Sequence, residues 1–306
     1  MVKELTEIFA PSGCEARMRE YIEKRLSGLG GELKCDNTGN LIFHKSGKGA
    51  RVCIECGTDS RGVMAVSTED GKVCFAGVGG IGAAYLSGKK VEFENGKIGI
   101  CRYDGENINS AKISDLYIET DGTAAEVGEF GAPLAEYFET ENKVFANGLG
   151  DRIGLAAVLE ALADMSADCD LYVLFSTQKR LGARGIRAYL PTEEFDFIVS
   201  ADAVKCEKGV KSGDGCVIVA KDKGAVSDPR LCEKLSTAAL LRGAKIKTAV
   251  TDENLYLGNI LNSGAAPCAV IGIPVTNRGG SMEGAAKDDL KSAAEVLRAF
   301  VSEVSK

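Results

Sequence analysis

The chain has 306 residues, 45% of them hydrophobic, with 37 Gly against 6 Pro, enough apolar material for one large core or two unequal domains. A formal net charge of -7 without a basic patch argues against a nucleic-acid partner, because phosphate neutralisation needs a local excess of Lys and Arg. No apolar run reaches membrane-spanning length, and the opening MVKELTEIFAPSG interleaves Lys3, Glu4 and Glu7 with apolar positions, so neither a membrane partner nor a signal peptide is expected.

Taken in order, residues 2–9 read as an amphipathic helix broken by Pro11-Ser12-Gly13, and residues 15–29 as a second with Met18, Tyr21, Ile22 and Leu26 on one face. Strands are expected at 32–35, 40–44 and 51–56. His44, the single histidine, closes the middle strand and is expected to be a solvated strand-end side chain rather than a ligand. The 11 cysteines lack repeated spacing and suit a reducing cytoplasm. Their one close pair, Cys53 and Cys56, falls in a strand with its thiols on opposite faces, so both are expected to pack as small hydrophobes rather than form a zinc half-site.

From about 62 to 137 the texture changes to short alternating segments punctuated by Asp70-Gly71 and Asn95-Gly96, the pattern of an inserted all-β unit. Gly77-Val78-Gly79-Gly80-Ile81-Gly82 satisfies a dinucleotide fingerprint, but without a surrounding βαβ unit it reads as a tight turn. From 142 onward helices and strands alternate. A helix starts at 150 or 151 with Asp151 as its expected N-cap; strands follow at 171–175, 197–200, 217–220 and 268–273, and helices at 182–190, 229–242 and 288–304. The fold class this order implies is α/β, a mostly parallel sheet flanked by helices with an inserted small all-β barrel. The expected division is 1–61 together with 138–306 as one domain and 62–137 as the insert.

The wording LTEIFAPSGCEARMREYI followed by DNTGNLI, and the strand 171–175 running into Gln178 and the Gly182-x-x-Gly185 helix start, closely resemble the dinuclear-metal glutamyl and deblocking aminopeptidases. These are the self-assembling tetrahedral aminopeptidases, once labelled endoglucanases. The resemblance implies a zinc-aminopeptidase-like domain with an inserted β-barrel, two divalent metal ions and a homo-oligomer. It also implies where the site residues fall. Gly57 takes the place of a metal-binding His, and Asp59 keeps the Asp that orients it. Gly150 takes the bridging carboxylate, Lys179 the general base, Arg180 a liganding Glu and Gly279 the last His, while Asp202 retains a lone liganding Asp. Only Asp202 keeps its donor among the ligands, and no histidine follows His44 to supply another.

In an open α/β sheet ligands gather at the carboxyl ends of the strands, which is where 178–180 falls. Lys179 and Arg180 are therefore expected within ion-pair distance of Asp202 or Asp59, standing in for the lost metals, with arginine the better suited. Asp59 and Asp202 read as residues that follow strands, and capping or ion pairing is their expected role. The expected protein is thus a cytoplasmic aminopeptidase-family homologue without a metal cofactor, serving binding or assembly, with peptides as candidate ligands. The alternative is a metallo-aminopeptidase with an unusual site. A third reading, a glycosidase, rests on Asp59 with Asp202 as the one pair of carboxyls to nominate.

Overall fold

Arg51–Gly57, Asp170–Ser176 and Cys268–Val275 are buried along nearly their whole length and, Glu55 apart, apolar between their ends, as strands covered on both faces must be. In the computed structural model, which describes every residue except 123, 124, 167, 265 and 306, they are inner strands of an eight-stranded sheet. Its order is Glu32–Cys35, Leu41–Lys45, Asp170–Ser176, Arg51–Gly57, Phe197–Lys205, Cys268–Val275, Cys216–Lys221 and Ile246–Val250. The four strands from Asp170–Ser176 to Cys268–Val275 run parallel, so their carboxyl ends lie together. Ser176 is paired with Gly57, and Asp202 with Gly272.

One face of this sheet packs beneath helices Ala16–Leu26, Ile153–Ala163, Pro229–Leu241 and Lys287–Val304. The last buries Leu290, Ala293, Ala294, Leu297 and Val301 at helical spacing and carries Asp288 and Asp289 in its first turn, where the helix dipole favours acids. Pro229–Leu241 starts on Asp228, whose carboxylate accepts the N–H groups of Arg230 and Leu231. The other face carries the short helices Arg184–Tyr189 and Leu257–Ser263. Cys56 packs in the first core and Cys53 in the second, so the thiols do point to opposite faces.

Gly62–Glu69, Lys72–Val78, Leu116–Glu119, Ile98–Tyr103, Lys90–Phe93 and Phe130–Pro133 close into an antiparallel barrel in that order around Val63, Val73, Phe93 and Ile118. Its first hairpin turns on Asp70 and Gly71, both in the left-handed region at φ 49° and 75°, as a two-residue hairpin turn demands. The glycines 77–82 lead from a barrel strand into the four-residue helix Ala83–Leu86, so no βαβ unit surrounds them.

Three differences from the sequence reading bear on the site. The strand expected at 197–200 runs on to Lys205 because its parallel ladder with Cys268–Val275 continues that far, and Asp202 therefore lies within a strand rather than after one. A three-stranded antiparallel sheet of Tyr137–Glu139, Lys143–Ala146 and Glu283–Ala286 was not foreseen, and it carries Glu283 inward. Nor were strand Ile246–Val250 and helix Leu257–Ser263, which begins just after the loop holding Tyr256.

Candidate functional site

The turn after Asp170–Ser176 is held from three sides. Asn40 Oδ1 accepts the Thr177 N–H at 2.9 Å while its amide donates to the Gly185 carbonyl at 3.0 Å. Glu15 Oε1 accepts the Gln178 N–H at 2.9 Å, and Gln178 itself adopts a left-handed conformation at φ 49°. The Arg180 N–H donates to Asp59 Oδ2 at 2.9 Å. This framing sends the side chains of Lys179 and Arg180 in different directions.

Lys179 turns inward across the end of the neighbouring strand. Its ammonium lies 3.0 Å from Glu55 Oε2 and 3.0 Å from Asp202 Oδ2, and donates to Ser200 Oγ at 3.4 Å. Glu55 is fully buried inside Arg51–Gly57, where the hydroxyls of Ser176 and Ser200 also donate to it, each at 2.6 Å. Burial alone would push the Lys179 pKa down, but the carboxylates of Asp202 and Glu55 outweigh it and hold the ammonium above its ordinary value. The aliphatic stem crosses directly over Gly57: a Cβ there would come within 2.9 Å of Lys179 Cδ. The volume into which a side chain at 57 would project is therefore filled.

Arg180 turns toward the barrel. Its guanidinium ion-pairs with Asp151 and donates to the Gly79 carbonyl of the barrel turn at 3.3 Å. Arg61 meets the other Asp151 oxygen at 3.3 Å and stretches on to Glu283 at 3.2 Å. Burial works against ionisation of Asp151, yet Arg180 and Arg61 hold its carboxyl well below the usual carboxylate range. Burial pushes the Asp59 carboxyl up, against the Ser12 hydroxyl that donates to it at 2.6 Å and the Arg180 N–H.

Glu283 closes the arrangement. Its two oxygens accept the N–H groups of Gly150 and Gly279, each at 2.6 Å, so two positions the resemblance assigns to ligands act here as backbone donors to one carboxylate. A Cβ at Gly150 would sit 3.4 Å from both the Arg278 Nε and the Glu283 Oε2. Gly279 is left-handed at φ 84°, a backbone that a side chain would strain. Arg278 spans from Glu253 at 2.7 Å to Asp202 at 3.5 Å.

Gly57, Asp59, Gly150, Lys179, Arg180 and Asp202 thus border one cavity of about 70 Å³, while Gly279 stands beside it through Glu283. Among the described residues no group of three or more His, Cys, Asp and Glu side chains could hold a metal ion. Two sequence expectations are corrected. Asp151 is not a helix N-cap: it ends the 3-10 turn Leu149–Asp151 and its carboxylate serves Arg61 and Arg180, leaving Arg152 before the helix without a side-chain cap. His44 is not a solvated strand end: it is half-buried, 2.7 Å from Asp170 and stacked on Tyr172. Glu55, Arg61, Arg278 and Glu283 also stand at the site without having been expected there from the sequence. Glu55 alone left a signal, an acid interrupting the apolar run VCIEC.

The model of the M42 glutamyl aminopeptidase family matches residues 39–296. A protein of Acetivibrio thermocellus that carries an aminopeptidase name is 26% identical, with 97% of this chain and 96% of that protein covered. The glutamyl aminopeptidase of Lactococcus lactis is 28% identical over 91% of this chain and 86% of its own. The structure of the Pyrococcus horikoshii TET1 peptidase, described as assembling into a tetrahedron or a large octahedral shell, superposes with a TM-score of 0.90 at 23% identity, covering 98% of each chain, and so shares the fold. With the family model spanning most of its length, the chain belongs to the M42 glutamyl aminopeptidase family.

Proposed function

We propose that this chain is a non-catalytic member of its family, in which internal cations have replaced the metal pair and the fold serves binding or assembly. The observation that carries this reading is Lys179, whose ammonium sits between Glu55 and Asp202 and whose stem covers Gly57. A divalent ion of the zinc type takes deprotonated nitrogen, oxygen or sulfur donors. The residues present do not fit two such ions: Gly57, Gly150 and Gly279 offer no side-chain donor, and Lys179 and Arg180 bring positive charge. Asp202, the retained acid, already faces Lys179 and Arg278. Nor does a carboxylate stand where the general base would be.

Size supports the same reading. Pockets that enclose small-molecule ligands measure roughly 300–1,000 Å³, whereas the cavity beside Lys179 measures about 70 Å³, room for a few waters and not for the end of a peptide. The division into 1–61 with 138–306 and an inserted 62–137 belongs to this reading, as does a homo-oligomer, by likeness to the Pyrococcus peptidase that assembles into shells.

The experiment is release of amino acids from short peptides by the purified protein with added zinc, cobalt or manganese. The expected result is no release above buffer with any metal. Metal-dependent release that disappears in Asp202→Asn would overturn the proposal in favour of a metallo-aminopeptidase with an unusual site. For the assembly, a light-scattering mass equal to one chain would contradict the oligomer.

A further inference from the structure

Away from the carboxyl ends of the parallel strands, the outer edge of the sheet holds a second and larger concavity. The outermost strand, Glu32–Cys35, is exposed along its whole length. Between it and the C-terminal end of helix Arg184–Tyr189, with the residues that follow, lies a groove of about 580 Å³, within the size range of small-molecule sites. Its floor is Ile42 with a row of three residues in register across three strands, Glu32, His44 and Tyr172. Its far wall is Ala188, Tyr189 and Glu193.

The row is an ordered stack. The Arg51 guanidinium lies over the Tyr172 ring at 4.6 Å, and the Tyr172 ring lies 4.0 Å from the His44 ring at an interplanar angle of 20°. Asp170 fixes both ends of this stack, meeting His44 Nε2 at 2.7 Å and Arg51 Nε at 3.1 Å. Glu193 completes it by pairing with Arg51 at 2.9 Å. The sequence Arg51, Tyr172, His44 then ends in the groove on the side of Glu32. With Nε2 committed to Asp170, Nδ1 is the remaining polar atom of the ring. Around stack and groove, Asp170 and Glu193 pair with Arg51, Asp36 accepts from Thr38 and Asn40, and Glu32 stands on the exposed strand across from His44. The place is rich in acceptors and partly apolar.

We propose that this groove binds a basic amino acid. Its guanidinium or ammonium group continues the stack over His44 and pairs with Glu32, its aliphatic stem lies on Ile42 and Tyr189, and Lys34, two residues along the same strand face, meets its carboxylate. A planar cation over an aromatic ring and beside a carboxylate is favourable on both counts, and more so where water is partly excluded. The inference is independent of whether the family centre is catalytic.

Calorimetric titration of the full-length protein with L-arginine, and with its decarboxylated counterpart agmatine, tests it. Saturable binding of arginine is expected, weakened about tenfold or more in Glu32→Lys, which exchanges an attraction for a repulsion worth at least one decade of affinity. Agmatine is expected to bind more weakly than arginine to the unaltered protein and equally with arginine to Lys34→Ala. Both substitutions lie on an exposed edge strand, and unchanged circular dichroism would show that the fold is kept. The absence of saturable heat with either compound, or arginine binding that survives Glu32→Lys undiminished, would overturn the proposal.

Discussion

Lys179 Nζ lies 3.0 Å from Asp202 Oδ2, with Glu55 Oε2 at the same distance on its other side. One ammonium thus offsets two carboxylates, one of them fully buried. Breaking such a group by removing one partner leaves uncompensated charge in a poorly solvated place. Lys179→Met, which keeps the stem, is expected to lower unfolding stability by about 3–5 kcal/mol, measured by urea denaturation. Adding Glu55→Gln and Asp202→Asn should recover part of the loss. A triple variant no more stable than the single one would show that the charges are not what the lysine serves.

Gly57 is expected to resist any side chain. A Cβ there meets Lys179 Cδ at 2.9 Å, so Gly57→Ala must displace a stem whose ammonium is held at both sides. Overpacking of this kind costs about 1–3 kcal/mol. A thermal melt at neutral pH checks it, and an unchanged midpoint would mean that the lysine gives way freely.

The pH dependence has two opposite signs. The Lys179 pKa is raised in the folded chain by Asp202 and Glu55 against its burial, so its contribution is whole below the unfolded lysine value of about 10.4 and is lost as pH rises beyond it through the folded value. The Asp151 pKa is depressed by Arg180 and Arg61 against its burial, so its contribution is present above the unfolded value of about 3.9 and is lost as pH falls below it. Asp59, raised by burial, works the other way on the acid side, since its ionisation costs stability. The stability gap between the unaltered protein and Lys179→Met should therefore narrow in strong base, and the gap to Asp151→Asn should narrow in strong acid. Gaps constant across both ranges would contradict these assignments.

Arg180 fastens the barrel to the sheet through Asp151 and the Gly79 carbonyl. Removing it in Arg180→Ala is expected to cost about 1.5–3 kcal/mol, the range for hydrogen bonds to charged groups. Hydrogen exchange should locate the change, with faster exchange across residues 77–82 and little effect in Cys268–Val275. Equal protection of the 77–82 turn in both proteins would mean that the barrel is held by other contacts.

What the sequence disclosed depended on how local the signal was. Asp70-Gly71 marked its hairpin because two left-handed residues define that turn, and the apolar run at 268–273 marked a buried strand, which runs on to Val275, because both its faces are covered. The position of 178–180 at a strand's carboxyl end was enough to place a cation near Asp202. It was not enough to say which cation, because successive turn residues point apart: Lys179 takes Asp202, while the Arg180 guanidinium goes to Asp151. Asp151 misled because its local setting fits a helix cap, and only tertiary partners overrule that. Arg61 and Glu283 meet across 222 positions of sequence, and Lys179 and Glu55 across 124, so no spacing rule could have joined them.

The central claim is that this centre carries its own cations in place of metals. An anomalous-scattering scan on crystals grown with zinc tests it most directly. The expected result is no anomalous peak in the cavity bordered by Asp59, Gly150 and Asp202, with the Lys179 ammonium between Glu55 and Asp202. A peak at liganding distance from Asp202, about 2.0–2.2 Å for a zinc carboxylate, with Lys179 displaced from it, would contradict the account.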